Sequence, residues 1–375
     1  MGVIINASYN IVTTNGGTME IQIDLCKISD VKIRDGIAKA VESQQALEVL
    51  SNDEAWEVRR TVAKNPNTAS KTLEKLSKDA SYHVRMEVVR NPNTSQEILK
   101  YLSKDKEFHV RWEVAFNQNA NLEILGKLSK DKENNVRDAV AQNPSATPEI
   151  LKNLSKDKAY YIRRDVAQNL STDQETLNNL SKDREFVVRW AVAENPNATK
   201  EAIKTLSKDD SFRVRFGVAK NPNATPKILK DLSKDQTGAV RQAVAENPNT
   251  TQDILKNLSN DRDISVRMAV VKNPNTTSEI LKDLSKDQTG VVRQAVADNP
   301  NTTQDILKSL SNNGDISVRI AVAHNPSTTL DILKTLSKDE SWAVKHAVSQ
   351  NPNTTQDILE NLSNDGYSHI VRIAQ

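Results

Sequence analysis

The chain repeats itself, because one pattern returns every 26 residues from Asn65 as far as Asn351. The unit from Asn247 to Lys272 reads NPNTTQDILKNLSND followed by RDISVRMAVVK. A chain built from such units grows by stacking one unit on the next and needs no single central core. This organisation suits a low apolar content, with 37% hydrophobic and 4% aromatic residues in a chain of 375.

The unit predicts two helices joined by short turns. Thr251 carries a side-chain oxygen that can cap the free N–H groups at the start of the first helix. The same position holds Ser95, Asn121, Thr147, Asp173, Thr199 and Thr225, which can cap in the same way. Ile254, Leu255 and Leu258 then form the stripe of this helix that is buried.

The second helix follows after a short turn. We expect Asp261 to cap its start. Val266, Ala269 and Val270 follow helical spacing and form its buried side. Asn273 ends the helix, because the residue before a proline avoids the helical conformation.

These residues carry a resemblance to a known family. The run Asn-Pro-x-Thr-x-x-x-Ile-Leu-x-x-Leu, followed by Asp-x-x-aromatic-x-Val-Arg-x-x-Val-Ala, resembles the leucine-rich repeat variant family, and its second half resembles HEAT repeats. The resemblance covers residues 43–375 and implies an all-α fold, a right-handed superhelical solenoid of about 12 two-helix repeats. It leaves open whether the first helix is α or 3₁₀, and the longer 26-residue unit favours α for both helices. Some members carry an iron–sulfur module, which needs clustered cysteines, whereas Cys26 is the only cysteine here.

The first 30 residues differ in kind from the repeats. Residues 8–14 and 18–24 flank Asn15-Gly16-Gly17, which predicts a β-hairpin with a glycine turn. We expect residues 1–30 to form a hairpin cap on a solenoid of residues 31–375, because the outer face of a terminal repeat must meet water. Partner binding by the hairpin and disorder are the alternatives.

An Asp and an Arg recur six residues apart in the repeats, as in Asp79–Arg85 and Asp105–Arg111. We number the repeats by this Arg on the second helix, so that repeat one contains Arg59. In HEAT repeats, which these units resemble, such residues bond along the stack. We therefore expect a structural ladder here, in preference to a row of phosphate contacts.

The Asn that ends each second helix forms a second ladder, represented by Asn91 and Asn117. Its place at a helix end predicts that it caps backbone groups, in preference to holding the backbone of a bound peptide. Neither ladder can carry specificity, because every copy is the same.

Specificity must come from positions that differ between copies. Three lie on the second helix: the residues two before, one after and five after the repeated Arg, which share one side of the helix. We call this side the variable face. Large aromatics at positions held elsewhere by Asp or Gln are more typical of a binding patch than of surface drift. The candidate binding residues on it are Arg60, His83, Met86, Arg90, His109, Trp112, Phe116, Tyr161, Arg164, Trp190, Arg213 and Phe216.

Other aromatic residues share a single repeat position, three residues before the repeated Arg. We expect them to pack between repeats. They are Trp56, Phe108, Tyr160, Phe186, Phe212 and Trp342.

Little in the sequence favours catalysis or a bound cofactor. Glycine-rich phosphate loops and cysteine clusters are missing, and His83 and His109 lie one repeat apart, too far to share a metal ion. We therefore predict no catalytic residues, no metal and no cofactor. The first residues lack the pattern of a signal peptide, and no run approaches the ~20 apolar residues that span a bilayer. We expect a soluble cytoplasmic monomer without a membrane partner.

Two functions remain as hypotheses. The first is a non-enzymatic binding scaffold that recognises a protein or peptide through the concave face formed by the second helices, mainly in repeats two to seven. The second is nucleic-acid binding, since HEAT-like solenoids include DNA-repair glycosylases with basic, aromatic grooves. Lys+Arg 51 against Asp+Glu 49 gives a net charge of only +2, and acidic residues interrupt the face, which favours the first hypothesis.

Overall fold

The structure is a computed structural model that describes the backbone of residues 7–12, 18–23 and 28–364 and the side chains of residues 28–363. The chain divides into two compact units, Met1–Ala191 and Val192–Gln375. We describe each unit by itself. In the described part of the chain, no helix is both long enough and apolar enough to cross a membrane.

The first unit begins with a two-stranded antiparallel hairpin. Strand β1 (Ala7–Val12) pairs with strand β2 (Thr18–Ile23), so that Ala7 lies opposite Ile23 and Val12 opposite Thr18. This pairing agrees with the hairpin predicted from the sequence. The glycine turn and the side chains on which the predicted capping role depends lie outside the described residues.

The first unit continues with thirteen helices in the described residues, and the last of them crosses the boundary at Ala191. From α2 onward, helices of seven and nine residues alternate, which are the predicted first and second helices of each repeat. Both are α-helices. Their bounds are α1 (Val31–Ala40), α2 (Gln44–Leu50), α3 (Trp56–Lys64), α4 (Ser70–Leu76), α5 (Tyr82–Arg90), α6 (Gln96–Leu102), α7 (Phe108–Phe116), α8 (Leu122–Leu128), α9 (Asn134–Gln142), α10 (Pro148–Leu154), α11 (Tyr160–Gln168), α12 (Gln174–Leu180) and α13 (Phe186–Glu194).

The second unit follows the same alternation. Its described residues end in α26, which has nine residues instead of seven. The bounds are α14 (Lys200–Leu206), α15 (Phe212–Lys220), α16 (Pro226–Leu232), α17 (Gly238–Glu246), α18 (Gln252–Leu258), α19 (Ile264–Lys272), α20 (Ser278–Leu284), α21 (Gly290–Asp298), α22 (Gln304–Leu310), α23 (Ile316–His324), α24 (Leu330–Leu336), α25 (Trp342–Gln350) and α26 (Gln356–Asn364).

First helices of the repeats start with the predicted side-chain caps, whereas the second helices do not start as predicted. Side chains cap the first helices at Ser95, Asn121, Thr147, Asp173, Thr199 and Thr225. Thr251 occupies the same position without a side-chain bond. The prediction that Asp261 caps the second helix is wrong, because that helix begins only at Ile264. Asp261 instead accepts a hydrogen bond from the N–H of Asp263 and so closes the turn before the helix.

The core of each unit lies between helices of successive repeats. In the first unit, second helices from α3 to α11 pack against the second helix of the next repeat, and in the second unit those from α15 to α25 do the same. The first helices between them pack against the helices that precede and follow them in the chain. Ile254, Leu255 and Leu258 are buried as predicted, and so are Val266 and Val270. Small and branched side chains thus fill thin layers, and the result is a stack of helical repeats in each unit.

The Asp–Arg ladder joins each repeat to the next one. The Nε and Nη2 atoms of Arg85 donate to the two carboxylate oxygens of Asp105 at 2.6 and 2.9 Å, and its Nη1 donates to the carbonyl of Asp79 at 2.6 Å. Arg111 repeats this arrangement with Asp131 and the carbonyl of Asp105. The bonds predicted for Arg85 and Arg111 are therefore present, and each of these two arginines pairs with the carboxylate of the following repeat.

Pairing with arginine lowers the pKa of ladder carboxylates such as Asp131 and Asp157. Burial raises the pKa of Asp131, but hydrogen bonds from Arg111 and from the N–H of Glu133 outweigh burial and hold that pKa below its usual value. The same balance lowers the pKa of Asp157, whose partner is Arg137. Asp131 and Asp157 therefore stay charged although they are partly buried, because each is paired with an arginine.

The Asn ladder joins each repeat to the previous one. The amide nitrogen of Asn91 donates to the carbonyls of Ala63 and Asn65 at 2.7 and 2.8 Å, and its oxygen accepts from the N–H of Asn93. Asn117 donates in the same way to the carbonyl of Val89 at 2.7 Å. These bonds confirm backbone capping, and they occupy the amide groups that a bound peptide would need.

One rung of the Asp–Arg ladder differs. Asn313 stands where other repeats have Asp, and Arg293 pairs instead with Asp315, while its Nε atom is buried without a partner among the described residues. Gly290 makes this possible, because a Cβ there would lie 2.5 Å from a carboxylate oxygen of Asp315. The chain thus contains its own example of an altered rung.

Candidate functional site

The variable face lies at the surface, but its three positions differ in depth. The position five residues after the repeated Arg is exposed, whereas the position one residue after it is mostly half-buried between repeats. Of the candidate binding residues, Arg60, Arg90, His109, Phe116 and Arg213 are exposed. The half-buried candidates are His83, Met86, Trp112, Tyr161, Arg164, Trp190 and Phe216.

Two aromatic side chains form a stacked pair on α7. The ring centroids of Trp112 and Phe116 are 5.5 Å apart and their planes differ by only 12°. Trp112 is half-buried and Phe116 is 50% exposed, so neither residue belongs to the hydrophobic core. A folded chain gains little from leaving a large ring in water, and such exposed aromatic surface is typical of contact sites.

A second group of rings lies at the starts of α3, α5 and α7. His83 stacks on Trp56 of the previous repeat at 5.0 Å between centroids, and His109 stacks on Tyr82 at 5.6 Å. Each histidine also contacts the aromatic residue just before it, Tyr82 and Phe108 respectively. The two histidines are therefore part of an aromatic row that follows the stack.

The expected packing role is wrong for most aromatics three residues before the repeated Arg. Tyr160, Phe186, Phe212 and Trp342 are exposed, and Trp342 reaches 62%. They open the second helix two residues before its first buried valine or isoleucine, and residues two apart on a helix point to different sides. Trp56 and Phe108, like Tyr82 at the same position, are half-buried and contact histidines of this row.

Three arginines of the variable face are paired with buried carboxylates. Arg60 donates to Glu87 at 2.7 and 3.0 Å, bridging repeats one and two. Arg90 contacts Glu87 and also binds Glu113. Three of the four variable-face arginines that the nucleic-acid hypothesis offers to phosphates, Arg60, Arg90 and Arg164, are thus already engaged, the last by Asp165. This arrangement does not favour that hypothesis.

The carboxylates themselves were missed by the sequence interpretation. Glu87, Glu113 and Asp165 all lie two residues after the repeated Arg, and all are at least 94% buried. Most other repeats have alanine at this position, as in Ala139 and Ala191. A carboxylate in place of the usual alanine could have indicated these residues from the sequence. The position was instead taken as structural and was not included in the variable face.

A pair of carboxylates marks the junction of repeats four and five. The side-chain amide of Gln142 donates to Asp138 at 2.9 Å and to Asp165 at 2.6 Å, and Arg164 donates to the other oxygen of Asp165 at 2.6 Å. The remaining oxygen of Asp138 is buried and has no hydrogen-bond partner among the described residues. Burial and the neighbouring charge of Asp165 raise the pKa of Asp138 to about 6.

The second unit has a groove on the same face. It encloses about 490 Å³ and lies between repeats nine and ten, where Met268, Lys272, Val291, Gln294 and Asp298 line it. The sequence interpretation placed recognition mainly in repeats two to seven and expected binding to be indifferent to changes in the C-terminal repeats. The groove lies outside that predicted region, although the residues that line it occupy positions of the variable face.

Carboxylate and histidine side chains are the groups that could bind a metal ion or transfer a proton. Within residues 28–363, no group of three or more His, Cys, Asp or Glu side chains is arranged to hold a metal ion. Asp138 and Asp165 are close enough to share a proton, but Gln142 and Arg164 occupy three of their four oxygens.

Comparisons with known proteins add little beyond the fold. No family model and no curated protein matches the chain. Among solved structures, the chain is similar to a leucine-rich repeat variant with a novel repetitive structural motif, at 23% identity and a TM-score of 0.40 over 69% of this chain and 87% of that one. It is also similar to YibA of Escherichia coli, at 18% identity and a TM-score of 0.24 over 86% of this chain and 96% of that one. The description as a helical repeat protein rests on the stacked helix pairs and their two ladders.

Proposed function

We propose that the chain is a non-enzymatic binding scaffold that recognises a protein or peptide through the variable face of its second helices. The stacked and partly exposed pair of Trp112 and Phe116 carries this proposal. Rigid aromatic anchors surrounded by polar groups are the usual centre of a protein-binding surface. That the face is the concave side of a right-handed superhelix, and that the chain belongs to the leucine-rich repeat variants, stay predictions from the sequence.

We place the site in the first unit, at repeats two to five together with Trp190. Repeat seven, with Arg213 and Phe216, belongs to the second unit, so the predicted region of repeats two to seven is divided. Arg60 and Arg90, which bind the buried carboxylates of Glu87 and Glu113, give repeats one to three exposed polar groups on the same face as Trp112. A polar rim excludes water from an aromatic anchor and sets the register of a partner.

The proposal can be tested by selecting partners directly. A phage-displayed library of random 12-residue peptides is panned on the immobilised full chain, and selected peptides are measured by fluorescence anisotropy. Trp112→Ala should weaken their binding on the order of ten- to thirtyfold, the cost of truncating an aromatic anchor. Because Trp112 is half-buried, the variant will lose some packing, and circular dichroism must show that it is fully folded at the temperature of the binding assay.

Two variants provide matched controls. Trp342→Ala removes an exposed tryptophan outside the variable face, and Gln294→Ala alters the groove of the second unit. Neither should change affinity by more than twofold. Failure to select any peptide would contradict the proposed function. A loss of affinity with Gln294→Ala equal to that with Trp112→Ala would contradict its location.

A further inference from the structure

A cavity of about 410 Å³ lies between repeats two and three of the first unit. Its lining comes from residues 78–80 of repeat two and residues 104–106 of repeat three, together with Arg85 and Tyr101. None of these residues belongs to the variable face. The volume falls within the range of about 300–1,000 Å³ that is usual for small-molecule sites, so the cavity has room for a ligand of that size.

Two departures from the repeat pattern shape this cavity. Tyr101 brings an aromatic ring to a position that Lys127 and Asn153 hold in the next repeats, and this ring is 52% exposed. The ring also lines a second cavity of about 400 Å³. Ala80 has a short side chain where the next repeat carries Lys106. Repeat two therefore leaves room that a longer side chain fills elsewhere, and the ring beside that room is available for stacking.

The charge of the lining favours an anion. Four positive and two negative side chains line the cavity, which gives the lining a net charge of +2. The two negative side chains are ladder carboxylates that arginines already bind. Arg59 pairs with Asp79 and Arg85 pairs with Asp105, each at 2.6 Å. The charge of these carboxylates is thus offset, and that of the lysines decides which ligand the cavity attracts.

Three lysines supply this positive charge. Lys78 contacts Glu74 at 3.5 Å in a pair that is exposed on both sides, and such a pair is worth little in water. Lys104 and Lys106 are exposed and have no ion-pair partner among residues 28–363. Ammonium groups on flexible stems bind phosphates as point charges, so three of them around one cavity can hold a phosphate dianion.

We propose that this cavity binds a mononucleotide, with its base stacked on the ring of Tyr101 and its phosphate between Lys78, Lys104 and Lys106. The site is separate from the variable face and does not depend on the proposed function. A base alone would leave the lysines without a counter-charge, and a phosphate alone would leave the ring in water. A phosphorylated tyrosine carries a ring and a phosphate too, but it fills less of the cavity because it has no sugar between them.

Isothermal titration calorimetry of the full chain at ~150 mM salt tests the proposal with four probes. Adenosine monophosphate should bind with a Kd on the order of 100 μM, as expected for a ligand of its size in an open site. Adenosine and inorganic phosphate each keep only one of the two contacts and should bind at least about tenfold more weakly. N-acetyl phosphotyrosine amide should also bind more weakly than the nucleotide.

Three variants test the residues of the cavity. Tyr101→Asn should weaken binding of adenosine monophosphate about tenfold, the usual loss when an aromatic stacking partner is removed. Lys106→Gln should weaken it several-fold by removing one charge. Ala80→Gln should abolish it, because the longer side chain occupies the room beside the ring. Each new residue already stands at the same position elsewhere in the chain, as Asn153 or Gln236, so the frame tolerates it.

Lys132→Gln makes the same charge change one repeat further on, outside the cavity, and should alter affinity by less than twofold. Circular dichroism confirms that each variant remains helical. The inference is overturned by any of four results: undetectable binding at millimolar nucleotide, equal affinity for inorganic phosphate, tighter binding of the phosphotyrosine probe, or a loss with Lys132→Gln equal to that with Lys106→Gln. None of these results bears on peptide binding by the variable face.

Discussion

The Asp–Arg ladder predicts a local loss of stability when one rung is broken. In Asp105→Ala, the Arg85 guanidinium loses both carboxylate oxygens, and the N–H of Glu107 loses its acceptor in the turn. The side chains of Arg85 and Asp105 are only 7% and 6% exposed, so water cannot replace the lost bonds. Arg85 keeps its bonds to the carbonyls of Asp79 and Ala80, which hold the buried charge in place.

The magnitude follows from this geometry. Removing one partner of a buried ion pair costs about 3–5 kcal/mol, because the other charge remains buried and unpaired. The reverse change is available at the altered rung, where Asn313→Asp would give Arg293 a carboxylate beside its unpaired Nε atom. Since Arg293 already pairs with Asp315, we expect a smaller stabilisation of about 1–2 kcal/mol.

Hydrogen exchange followed by mass spectrometry measures these effects repeat by repeat, which suits a stack whose repeats contact only their neighbours. A loss of 3–5 kcal/mol raises exchange in α5 and α7 by roughly a hundredfold or more, since about 1.4 kcal/mol is tenfold. Asp210→Ala makes the same chemical change at an exposed position and should alter exchange little. If Asp105→Ala behaves like Asp210→Ala, or if Asn313→Asp destabilises its repeat, the ladder does not stabilise the fold as argued.

Three further outcomes are expected. The pKa of Asp138 in the folded chain, about 6, exceeds its usual value of 3.8, so its charged form disfavours folding and stability is lost as pH rises through 6. Asp138→Asn should therefore raise the free energy of unfolding at pH 7.5 by about 1 kcal/mol after allowing for solvent screening, seen as a higher melting temperature, and should change it little at pH 3.5, where Asp138 is protonated in the folded chain; equal effects at both pH values would contradict this. The pKa of Asp131 is lowered, so the stability it contributes is present above about pH 4 and lost on further acidification, which thermal melts from pH 7 to 3 should show as a steep fall. Labelled oligonucleotides should bind weakly at low salt and detach by ~150 mM; micromolar binding at that salt, abolished by changing Arg90, Arg164 and Arg213 to Ala, would instead support nucleic-acid recognition.

Repetition explains why the frame could be predicted from the sequence. Each position is sampled about a dozen times, so the capping role of Ser95, the buried stripe at Leu255 and the ladder at Arg85 emerge from agreement among copies. Agreement among copies says little about where an individual side chain points. The exposed rings of Tyr160 and Trp342 share a position with the half-buried ring of Trp56, which stacks on His83 of the next repeat.

The candidate site was predicted less completely, because its interactions join residues of different repeats. Arg60 and Glu87 are 27 positions apart, and Gln142 and Asp165 are 23 positions apart. Periodicity places such residues on adjacent helices, but the bond between them depends on side-chain conformations that the spacing does not determine. The variable face was thus located correctly as a surface, whereas the buried carboxylates beside it were seen only in the structure.

The ladders also constrain how the length of this chain can change. The bond from Arg85 to Asp105 spans 20 positions, and those from Asn91 span 28 and 26. Inserting or removing one whole unit therefore gives every ladder residue at the junction a new partner of the same kind. Any other change of length within a repeat sets an arginine opposite something other than its aspartate. The chain can therefore be lengthened or shortened by whole units. An engineered version can gain or lose binding surface in steps of one unit, and the two ladders need no redesign.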